Sequence, residues 1–499
     1  MTSVLLALLL SQANPLVLEG EVSASGPDFV RVPFEVPAGL AELEVSHTVE
    51  GADNILDFGV ESPLGFRGYG GGNTENAVIG VAASSRSYLT GELTPGTWNV
   101  YIGKAKVEGA PAKYRIEVTS RTAATLAPQP QRTPYVPAAP LAREARWYAG
   151  DFHVHSSESG DAKATMDEVA TFARGRGLDF IELSEHNTRS QLDYYADVQA
   201  RHPALLLIPG VEFTTFNGHA NGIGATQWVD HRFGLDGATM DAAAAALTGQ
   251  GAVLSINHPV LDLGNNCIGC AWKHPIPKEH LSAVEIQTGG YDKTGVLFSK
   301  QAIAFWDRLL NQGLHIAPIG GSDDHRGGTG TDAFASPIGN PTTMVFASEL
   351  SAEAIVAAVK AGRTVVKLQG PGDPMVELHV GAAGIGDVVK VEKPEVKARV
   401  TGGAGAQLKW VVDGVARDDA VAVDGDDFET SLALDAPSSG EVRVRAEVWV
   451  ANAPRTVTGH LWLAVPDAPR GCGCSAGPGE ALLALLLLAL RRRGPHRVP

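Results

Sequence analysis

The sequence predicts a multidomain protein in which a central α/β domain is flanked by two all-β sandwich domains. From Trp147 to Leu368, short apolar strands alternate with helical segments, the pattern of a parallel sheet that closes into a barrel. Before and after this region, apolar and polar residues alternate with period two between turn residues, as in antiparallel sheets. The 499 residues are enough for about three or four domains.

The predicted domain boundaries follow changes in composition along the chain. An N-terminal β-sandwich is predicted for residues 16–120, and a spacer rich in proline and alanine for residues 121–145. The α/β domain covers residues 146–370, where the stretch TMDE has the form of a capping box that starts a helix. An immunoglobulin-like β-sandwich is predicted for residues 373–466.

The first 13 residues resemble a secretory signal peptide. A short apolar core from Val4 to Leu10 is followed by small residues up to Ala13, where cleavage would occur. The positively charged segment that usually precedes such a core is missing. Residues 1–13 are therefore interpreted as a signal peptide, with a buried N-terminal strand as the alternative.

Residues 470–499 carry a second targeting pattern. Cys472 and Cys474 precede the apolar run Ala481–Leu490, and Arg491–Arg493 follow it. A helix that spans a bilayer needs about 20 apolar residues, so this run is too short to span alone. The order of these features resembles the MYXO-CTERM class of sorting signals, with a frayed tail as the alternative. The resemblance implies export to the cell surface, outer envelope or medium, and association with the membrane or cell envelope through this tail.

The charge of the chain argues against nucleic acid as a partner. Its formal net charge is -16, and we find a run of basic residues only at the C-terminal end. Such a chain would repel a phosphate backbone. Hydrophobic residues make up 44% of the sequence, which is enough for packed cores. We therefore expect the partner to be a small-molecule substrate.

Histidines are concentrated in the α/β region, where eleven of the 15 lie between His153 and His325. The stretch GDFHVHSSESGDA places His153 and His155 on one face of a strand, because side chains alternate along a strand. Two adjacent imidazoles suit a metal site better than a core. The carboxyl ends of barrel strands meet at one face. Nine candidate ligands lie at or just after predicted strand ends: His153, His155, Asp161, His186, Glu212, His219, His258, Asp323 and His325.

These motifs resemble the PHP superfamily of metallohydrolases, named after polymerase and histidinol phosphatase. The resemblance rests on DFHVHS with the aspartate after it, SEHN, PGVEFTTFNGHANGIG, NHP and SDDH, and it covers Trp147 to Leu368. The opening WYAGDFHVHS and the long third motif are most similar to the CehA/McbA branch. The resemblance implies a distorted (β/α)7-type PHP barrel and a metal-dependent hydrolase that acts on a phosphoester. Together with the targeting patterns at the two ends, it predicts an exported enzyme.

The resemblance also implies how the nine side chains divide among two or three divalent ions. The implied sets are a first ion with His153, His155, Glu212 and Asp323, a second that shares Glu212 and takes His219 and His258, and a third with Asp161, His186 and His325. Imidazole and carboxylate donors suit Zn²⁺, Mn²⁺ or Fe²⁺. Because such a centre lowers the pKa of water, we expect metal-bound hydroxide as the nucleophile. Glu212, Asp323 and His325 are the residues that we expect to act directly in catalysis.

Other residues of the same region are candidates for substrate binding and proton transfer. Arg189 and Arg326 follow ligand-bearing motifs and could bind a phosphate group, or they could be solvated loop arginines. Three residues are candidates for the proton donor, namely Asp324, His274 and Glu185.

The stretch NNCIGCAWKH places Cys267 and Cys270 between two of the metal motifs. In an exported protein, we expect these two cysteines to form a disulfide that holds a long loop. A thioredoxin-like redox role and a further metal site with His274 are the alternatives.

Two other functions fit parts of the sequence. The scarcity of basic residues and the likeness to the CehA/McbA branch are compatible with hydrolysis of a carboxylester or carbamate at the same centre. A non-catalytic surface binding or adhesion protein would keep the metals for structure, although structural sites are usually closed and four-coordinate. DNA proofreading fits neither the predicted export nor the charge.

Overall fold

The computed structural model describes residues 15–51, 53–290, 293–330 and 336–467. The signal peptide predicted for residues 1–13 and the sorting signal predicted for residues 470–499 lie outside the described residues.

The N-terminal domain consists of two antiparallel sheets. Its strands are β1 (Leu16–Val22), β2 (Phe29–Val36), β3 (Glu42–Val49), β4 (Ile55–Ser62), β5 (Gly65–Gly71), β6 (Ala77–Gly80), β7 (Gly96–Lys106) and β8 (Ala112–Arg121). The sheet orders are β1-β8-β3-β6 and β2-β7-β4-β5. In β2, Val32, Phe34 and Val36 are buried while Pro33 and Glu35 are exposed, which is the alternation expected of a half-buried strand. The two sheets enclose an apolar core centred on large side chains such as Trp98 and Phe58.

Residues 122–145 cross to the central domain without regular secondary structure. The backbone N–H of Thr133 donates to Asp193 O at 2.7 Å, and the N–H of Leu141 donates to Leu350 O at 2.9 Å. These hydrogen bonds fix the connecting segment along the surface of the central domain.

The central domain alternates strands with helices over most of its length. Its elements are β9 (Arg146–Val154), α1 (Met166–Gly175), β10 (Phe180–Leu183), α2 (Tyr195–Arg201), β11 (Leu206–Pro209), β12 (Glu212–Thr215), β13 (Gly218–Ile223), α3 (Met240–Gly249), β14 (Val253–Ile256), β15 (Leu281–Thr288), α4 (Lys293–Leu310), β16 (Ala317–Gly321), β17 (Thr342–Ala347), α5 (Ala352–Lys360) and β18 (Thr364–Lys367). Thr165 and Glu168 form the reciprocal capping box that the sequence TMDE predicts at the start of α1. Among the described residues, no helix is both long and apolar enough to cross a bilayer.

The strands of the central domain fall into two sheets. The first has the order β11-β10-β9-β17-β18, in which β9, β10 and β11 are parallel. The second has the order β12-β13-β14-β15-β16, in which β14, β15 and β16 are parallel. Two isolated parallel bridges connect the sheets, from Val154 to Asp324 and from His186 to Glu212. Both bridges lie at strand ends that carry candidate metal ligands.

The structure does not show the (β/α)7-type barrel that the resemblance implies. The strands β12 and β13 form an antiparallel hairpin, and β17 and β18 run antiparallel to their neighbours. A parallel pair needs a crossover of a dozen or more residues, whereas Phe216 and Asn217 alone connect β12 to β13. The described residues therefore form a multidomain, mostly β protein with few helices.

The C-terminal domain follows with strands β19 (Met375–Val380), β20 (Ala383–Gly384), β21 (Val388–Val389), β22 (Glu395–Thr401), β23 (Gln407–Val412), β24 (Val415–Ala416), β25 (Val421–Ala422), β26 (Asp427–Ala433), β27 (Glu441–Val450), β28 (Ala453–Thr458) and β29 (Leu461–Ala464). One sheet has the order β20-β19-β22-β26. The other contains β28-β27-β23-β24 and continues into the central domain, because β28 pairs with β18. The two domains are therefore joined by backbone hydrogen bonds as well as by the chain.

Candidate metal centre

The structure brings the nine predicted ligands together at one end of the central domain. They come from the ends of β9, β10, β14 and β16, from β12 and β13, and from the loop after β9. Eight of the nine are buried or half-buried, and Asp161 is the exposed member, with 56% of its side chain accessible. Parallel strand ends and two bridges between the sheets therefore place residues from distant parts of the chain around one point.

The first group of donors is formed by His153, His155, Glu212 and Asp323, whose ligand atoms lie within 4.8 Å of one another. Oδ1 of Asp323 is 3.3 Å from Nε2 of His153 and 3.2 Å from Nε2 of His155. Oε1 of Glu212 is 3.3 Å from Nε2 of His153. This is the set that the resemblance assigns to a first ion.

The carboxylate of Glu212 links the first group to a second. Its Oε1 atom is 3.2 Å from Nδ1 of His219 and 3.2 Å from Nε2 of His258. The backbone at His258 has a φ of 28°, and that at Asp323 has a φ of 56°. Positive φ is uncommon for residues other than glycine and concentrates at functional sites.

The third group lies at the mouth of the site. Oδ2 of Asp161 is 3.2 Å from Nε2 of His186 and 3.4 Å from Nε2 of His325, and these two nitrogen atoms are 3.3 Å apart. The ligand atoms of His186 and His325 also lie within 4.8 Å of that of His155, so this group adjoins the first.

Contacts at Nδ1 orient four of the six imidazoles so that Nε2 faces the centre. His186 uses both ring nitrogens toward the cluster, because its Nε2 faces Asp161 and its Nδ1 lies 2.9 Å from Oε2 of Glu212. The Nδ1 contacts are Glu285 Oε1 at 3.0 Å for His153, Ser159 Oγ at 2.8 Å for His155, Thr214 Oγ1 at 2.8 Å for His186, Cys270 O at 3.0 Å for His258 and Asp323 O at 3.0 Å for His325. His219 is reversed, with Nδ1 toward Glu212 and Nε2 3.3 Å from Ile268 O. Such outer contacts fix the tautomer and direction of metal-ligating histidines.

The buried donors fit a divalent metal ion. Nε2 of His153, Nε2 of His155 and Oε2 of Glu212 are buried, and none of them makes a hydrogen bond of good geometry with a described residue, although Oε2 lies 2.9 Å from Nδ1 of His186. Burying a polar atom without a hydrogen-bond partner costs free energy, so native proteins rarely contain such unpaired buried atoms. A cation that accepts both imidazole nitrogen and carboxylate oxygen would satisfy all three atoms, and Zn²⁺, Mn²⁺ and Fe²⁺ have this preference.

The charges of the site are strongly coupled. Burial opposes the charged form of His325, but the nearby carboxylate of Asp161 outweighs it and raises the pKa of His325 to about 9. Burial, together with the neighbouring His325 and His186, lowers the pKa of His155 to about 3. Burial also opposes ionisation of Glu212, yet the surrounding imidazoles hold its pKa well below the usual range.

Metal affinity is expected to rise with pH. The metal-free protein keeps a proton on His325 up to about pH 9, and a metal ion has to displace that proton. Titration with chelator-buffered Zn²⁺ from about pH 6.5 to about pH 8.5 should show affinity rising about tenfold per pH unit for each proton displaced. Asp161→Asn removes the carboxylate that raises this pKa, so it should flatten the dependence. An affinity independent of pH in the unmodified chain would contradict the assignment.

Glu285 contacts two of the candidate ligands, and the sequence analysis does not identify it. It lies in β15 and is fully buried. Oε1 accepts from Nδ1 of His153 at 3.0 Å, and Oε2 accepts from the backbone N–H of His258 at 2.7 Å. The signal was a single carboxylate within the apolar run AVEIQT. A lone carboxylate in such a run is not part of a histidine motif, so the sequence does not identify it as a site residue.

Replacing Glu285 with glutamine is expected to weaken metal binding by about 10-fold to 100-fold, because the amide lacks the charge that orients His153. The exposed Glu353 at the start of α5 supplies the matched control, Glu353→Gln, which should leave the affinity unchanged. A chelator competition assay measures both variants. Equal affinities for Glu285→Gln and the unmodified chain would show that this carboxylate does not support the centre.

The remaining candidates have different positions. Arg326 lines the cavity over the metal-ligand side chains, and Arg189, at the start of a short 3-10 helix, does not. Of the three proton-donor candidates, Asp324 alone lines that cavity. Both carboxylate oxygens of Glu185 accept hydrogen bonds from Ser156 N–H. The remaining candidate, His274, has its Nε2 atom 2.7 Å from Thr215 Oγ1.

Cys267 and Cys270 are joined by a disulfide that closes the loop beside His219 and His258. Carbonyl oxygens of this loop, at Ile268 and Cys270, contact the outer nitrogen atoms of those two imidazoles. The disulfide therefore lies next to the second group of donors and constrains the backbone whose carbonyl oxygens contact His219 and His258.

Comparisons with known proteins give only distant similarities. No protein-family model matches the chain, and no curated protein is detectably similar to it in sequence. A two-domain protein from Bacteroides vulgatus that contains a predicted PHP-like metal-dependent phosphoesterase is similar over 66% of this chain and 99% of its own, with 20% identity and a TM-score of 0.35. The CARDB domain of a Pyrococcus furiosus protein in complex with di-metal ions covers 19% of this chain and 98% of its own, with 17% identity and a TM-score of 0.13. Similarities this low assign the chain neither a family nor an activity.

Proposed function

We propose that this chain is an exported, metal-dependent hydrolase that acts on a small-molecule phosphoester. The observation that carries the proposal is the convergence of six imidazoles and three carboxylates whose inner atoms include buried donors without hydrogen-bond partners. A structural metal site needs four donors, whereas this cluster supplies more than one site with a shared carboxylate. The motifs that resemble the PHP superfamily supply eight of the nine donors at the positions expected from that resemblance, and the aspartate after DFHVHS supplies the ninth.

The proposed roles follow from where each side chain lies. His153, His155, Glu212 and Asp323 would hold one ion, Glu212 with His219 and His258 a second, and Asp161 with His186 and His325 a third. Such ions supply Lewis acidity and lower the pKa of water, which favours hydrolysis at neutral pH.

Two residues beside the ligands serve the substrate. Arg326 lines the cavity, where its guanidinium would bind an anionic group of the substrate. Asp324 lines the same cavity, and burial raises the pKa of its carboxyl group. This carboxyl group is the one that we propose to deliver a proton to the leaving group, because it can hold that proton closer to neutral pH than an exposed aspartate.

A second candidate function is hydrolysis of a carboxylester or carbamate at the same centre. The observation in its favour is the composition of the cavity wall, which includes Phe216, Leu261, Leu263 and Ile268, while Arg326 is the only arginine or lysine among its described lining residues. Such a wall suits a neutral ester better than a highly charged phosphate.

A chromogenic substrate panel tests both functions. The full chain, loaded with Mn²⁺ or Zn²⁺, would be assayed on an aryl phosphate, an aryl phosphodiester, an aryl acetate and a naphthyl carbamate. We expect hydrolysis of a phosphate substrate that Asp323→Ala lowers by about 10²-fold or more, because the variant removes a carboxylate of the first group. Cleavage of the acetate or carbamate alone would support the second function. Silence on the whole panel with metal bound would favour a binding or adhesion protein.

Export is proposed on separate grounds. The sequence patterns of residues 1–13 and 470–499 both indicate secretion, and the Cys267–Cys270 disulfide fits an oxidising compartment. Cell fractionation followed by immunoblotting would place the protein in the envelope or medium if this is right, and in the cytosol if it is wrong.

A further inference from the structure

The cavity above the metal-ligand side chains is built by two domains. Its volume is about 670 Å³, a size typical of small-molecule sites. The central domain supplies the floor of ligands. Asp57, Tyr69 and the segment Gly70–Asn73, all from the N-terminal domain, supply one side, which is termed the N-terminal wall. The prediction that residues 16–120 form an accessory β-sandwich does not include a position beside the metal-ligand side chains.

Close contacts fix the N-terminal wall against the central domain. The side chain of Ser87 donates to Glu158 O at 2.7 Å, and its backbone N–H donates to Glu158 Oε2 at 3.1 Å. A Cβ atom on Gly160 would lie 3.0 Å from the carbonyl oxygen of Gly70, so the two backbones nearly touch just before Asp161.

Aromatic and charged pairs extend the same interface. Phe66 stacks on Trp228 with ring centroids 4.6 Å apart. The buried guanidinium of Arg232 pairs with the buried carboxylate of Glu61 from the N-terminal domain. Because apolar burial and a desolvated ion pair both resist separation, the two domains hold the wall in one position over the centre.

Asp57 is the residue of this wall that is placed to select a ligand. It is buried, with 9% of its surface accessible, yet it lines the cavity. The hydroxyl of Tyr69 donates to its Oδ2 atom at 2.7 Å. Among the described residues, no other group donates a hydrogen bond to this carboxylate. Because a buried carboxylate needs hydrogen-bond donors, a ligand that supplies one gains affinity here.

The other side of the cavity has a different character. Leu261, Leu263 and Ile268 come from the segment between β14 and β15 that contains the disulfide. The cavity is therefore apolar on one side and carries an acceptor on the other.

We propose that the N-terminal domain forms part of the substrate pocket and that Asp57 is a specificity-determining residue that accepts a hydrogen bond from a hydroxyl or ammonium group on the leaving group of the ester. This inference rests on the proposed function for the position of the reacting group, which the metal ions would hold. The alternative role of Asp57 is purely structural, as an anchor for the hydroxyl of Tyr69.

Binding of non-hydrolysable phosphonates separates the two roles without requiring activity. The Zn²⁺-loaded full chain would be titrated calorimetrically at about pH 7.5 with 3,4-dihydroxybutylphosphonate, 3-aminopropylphosphonate and benzylphosphonate. The first carries hydroxyl donors, the second an ammonium donor and the third neither. Burial raises the pKa of Asp57 to about 6, so its carboxylate is ionised under these conditions.

The variant is Asp57→Asn, whose amide oxygen still accepts from Tyr69, and the matched control is Asp53→Asn at an exposed turn before β4. Asp57→Ser serves as a second variant if the first lowers the melting temperature. We expect the ratio of the dissociation constant for at least one donor-bearing phosphonate to that for benzylphosphonate to rise about tenfold in Asp57→Asn and to stay constant in Asp53→Asn. Which ligand responds identifies the donor as hydroxyl or ammonium.

A ratio unchanged for both donor-bearing ligands would overturn the inference, as would a chain that binds none of the three phosphonates. Failure of the proposed function gives a different result. A chain that binds the phosphonates selectively but hydrolyses no ester would support the role of Asp57 in the pocket and contradict the proposed hydrolase.

Discussion

Replacing Glu212 with glutamine is expected to remove most of the bound metal and to lower hydrolysis by about 10³-fold. Oε1 of this residue contacts His153, His219 and His258, all within 3.3 Å, and Oε2 lies 2.9 Å from Nδ1 of His186. The substitution keeps the shape of the side chain and removes the charge shared by the first two groups of donors. Metal content by atomic emission and the rate on the best substrate of the panel measure the two effects.

The same Glu353→Gln variant serves as the control for Glu212→Gln, because it makes the same chemical change at an exposed position. It should bind metal and hydrolyse substrate like the unmodified chain. If Glu212→Gln retained both full metal content and full activity, the shared carboxylate would have no role and the division into linked groups would be wrong.

Replacing Gly321 with alanine is expected to destabilise the fold by about 1–3 kcal/mol and to weaken metal binding. A Cβ atom at this position would lie 2.2 Å from Cβ of His153 and 2.7 Å from Oε1 of Glu285. Neither neighbour can move freely, because His153 is held in β9 and Glu285 in β15 on either side of β16. The strands have to separate, which shifts a ligand together with the carboxylate that orients it. Chemical denaturation and a metal titration measure the two effects.

Gly175 gives a matched control for this substitution. It is the last residue of α1, and a Cβ atom there would have no neighbour within 4 Å. Gly175→Ala should therefore be neutral or stabilise the protein by up to about 1 kcal/mol. Equal stability and equal metal affinity for the two variants would mean that the close packing of β16 against His153 is unimportant.

Most of the candidate ligands could be proposed from the sequence because they lie at or just after the end of an apolar run, whereas His219 lies within β13 and Asp161 in the loop after β9. His153 and His155 share a face through the two-residue period of a strand, and His186 and His258 follow short apolar runs. The exact grouping came from the resemblance, since sequence spacing alone does not give the distance between side chains from different strands. The structure places these side chains within hydrogen-bond range of the carboxylates assigned to them.

Residues that support the site from elsewhere could not be predicted. Glu285 acts through a hydrogen bond to His153, which is 132 positions earlier in the chain, and a buried carboxylate has no periodic signature. Asp57 belongs to another domain, and its position over the centre depends on how two folded surfaces meet. Packing of this kind is decided by side-chain shape and charge across the interface, which a pattern of apolar and polar residues does not specify.

The barrel prediction failed for a different reason. Strand-helix alternation in the sequence predicts a uniform parallel sheet, but TTFNGHA turns directly from β12 into β13 and makes an antiparallel pair. The short connection was visible in the sequence, and its two turn residues outweigh the general pattern.

The most direct test of the metal centre is anomalous diffraction at the zinc edge from crystals of the Zn²⁺-loaded chain. We predict two or three ions among the nine side chains, each about 2.0–2.3 Å from its ligand atoms, with Glu212 bound to two of them. No anomalous peak in this cluster under saturating Zn²⁺, or a single closed four-coordinate ion that leaves Asp161, His186 and His325 unbound, would contradict the proposed multinuclear metal centre.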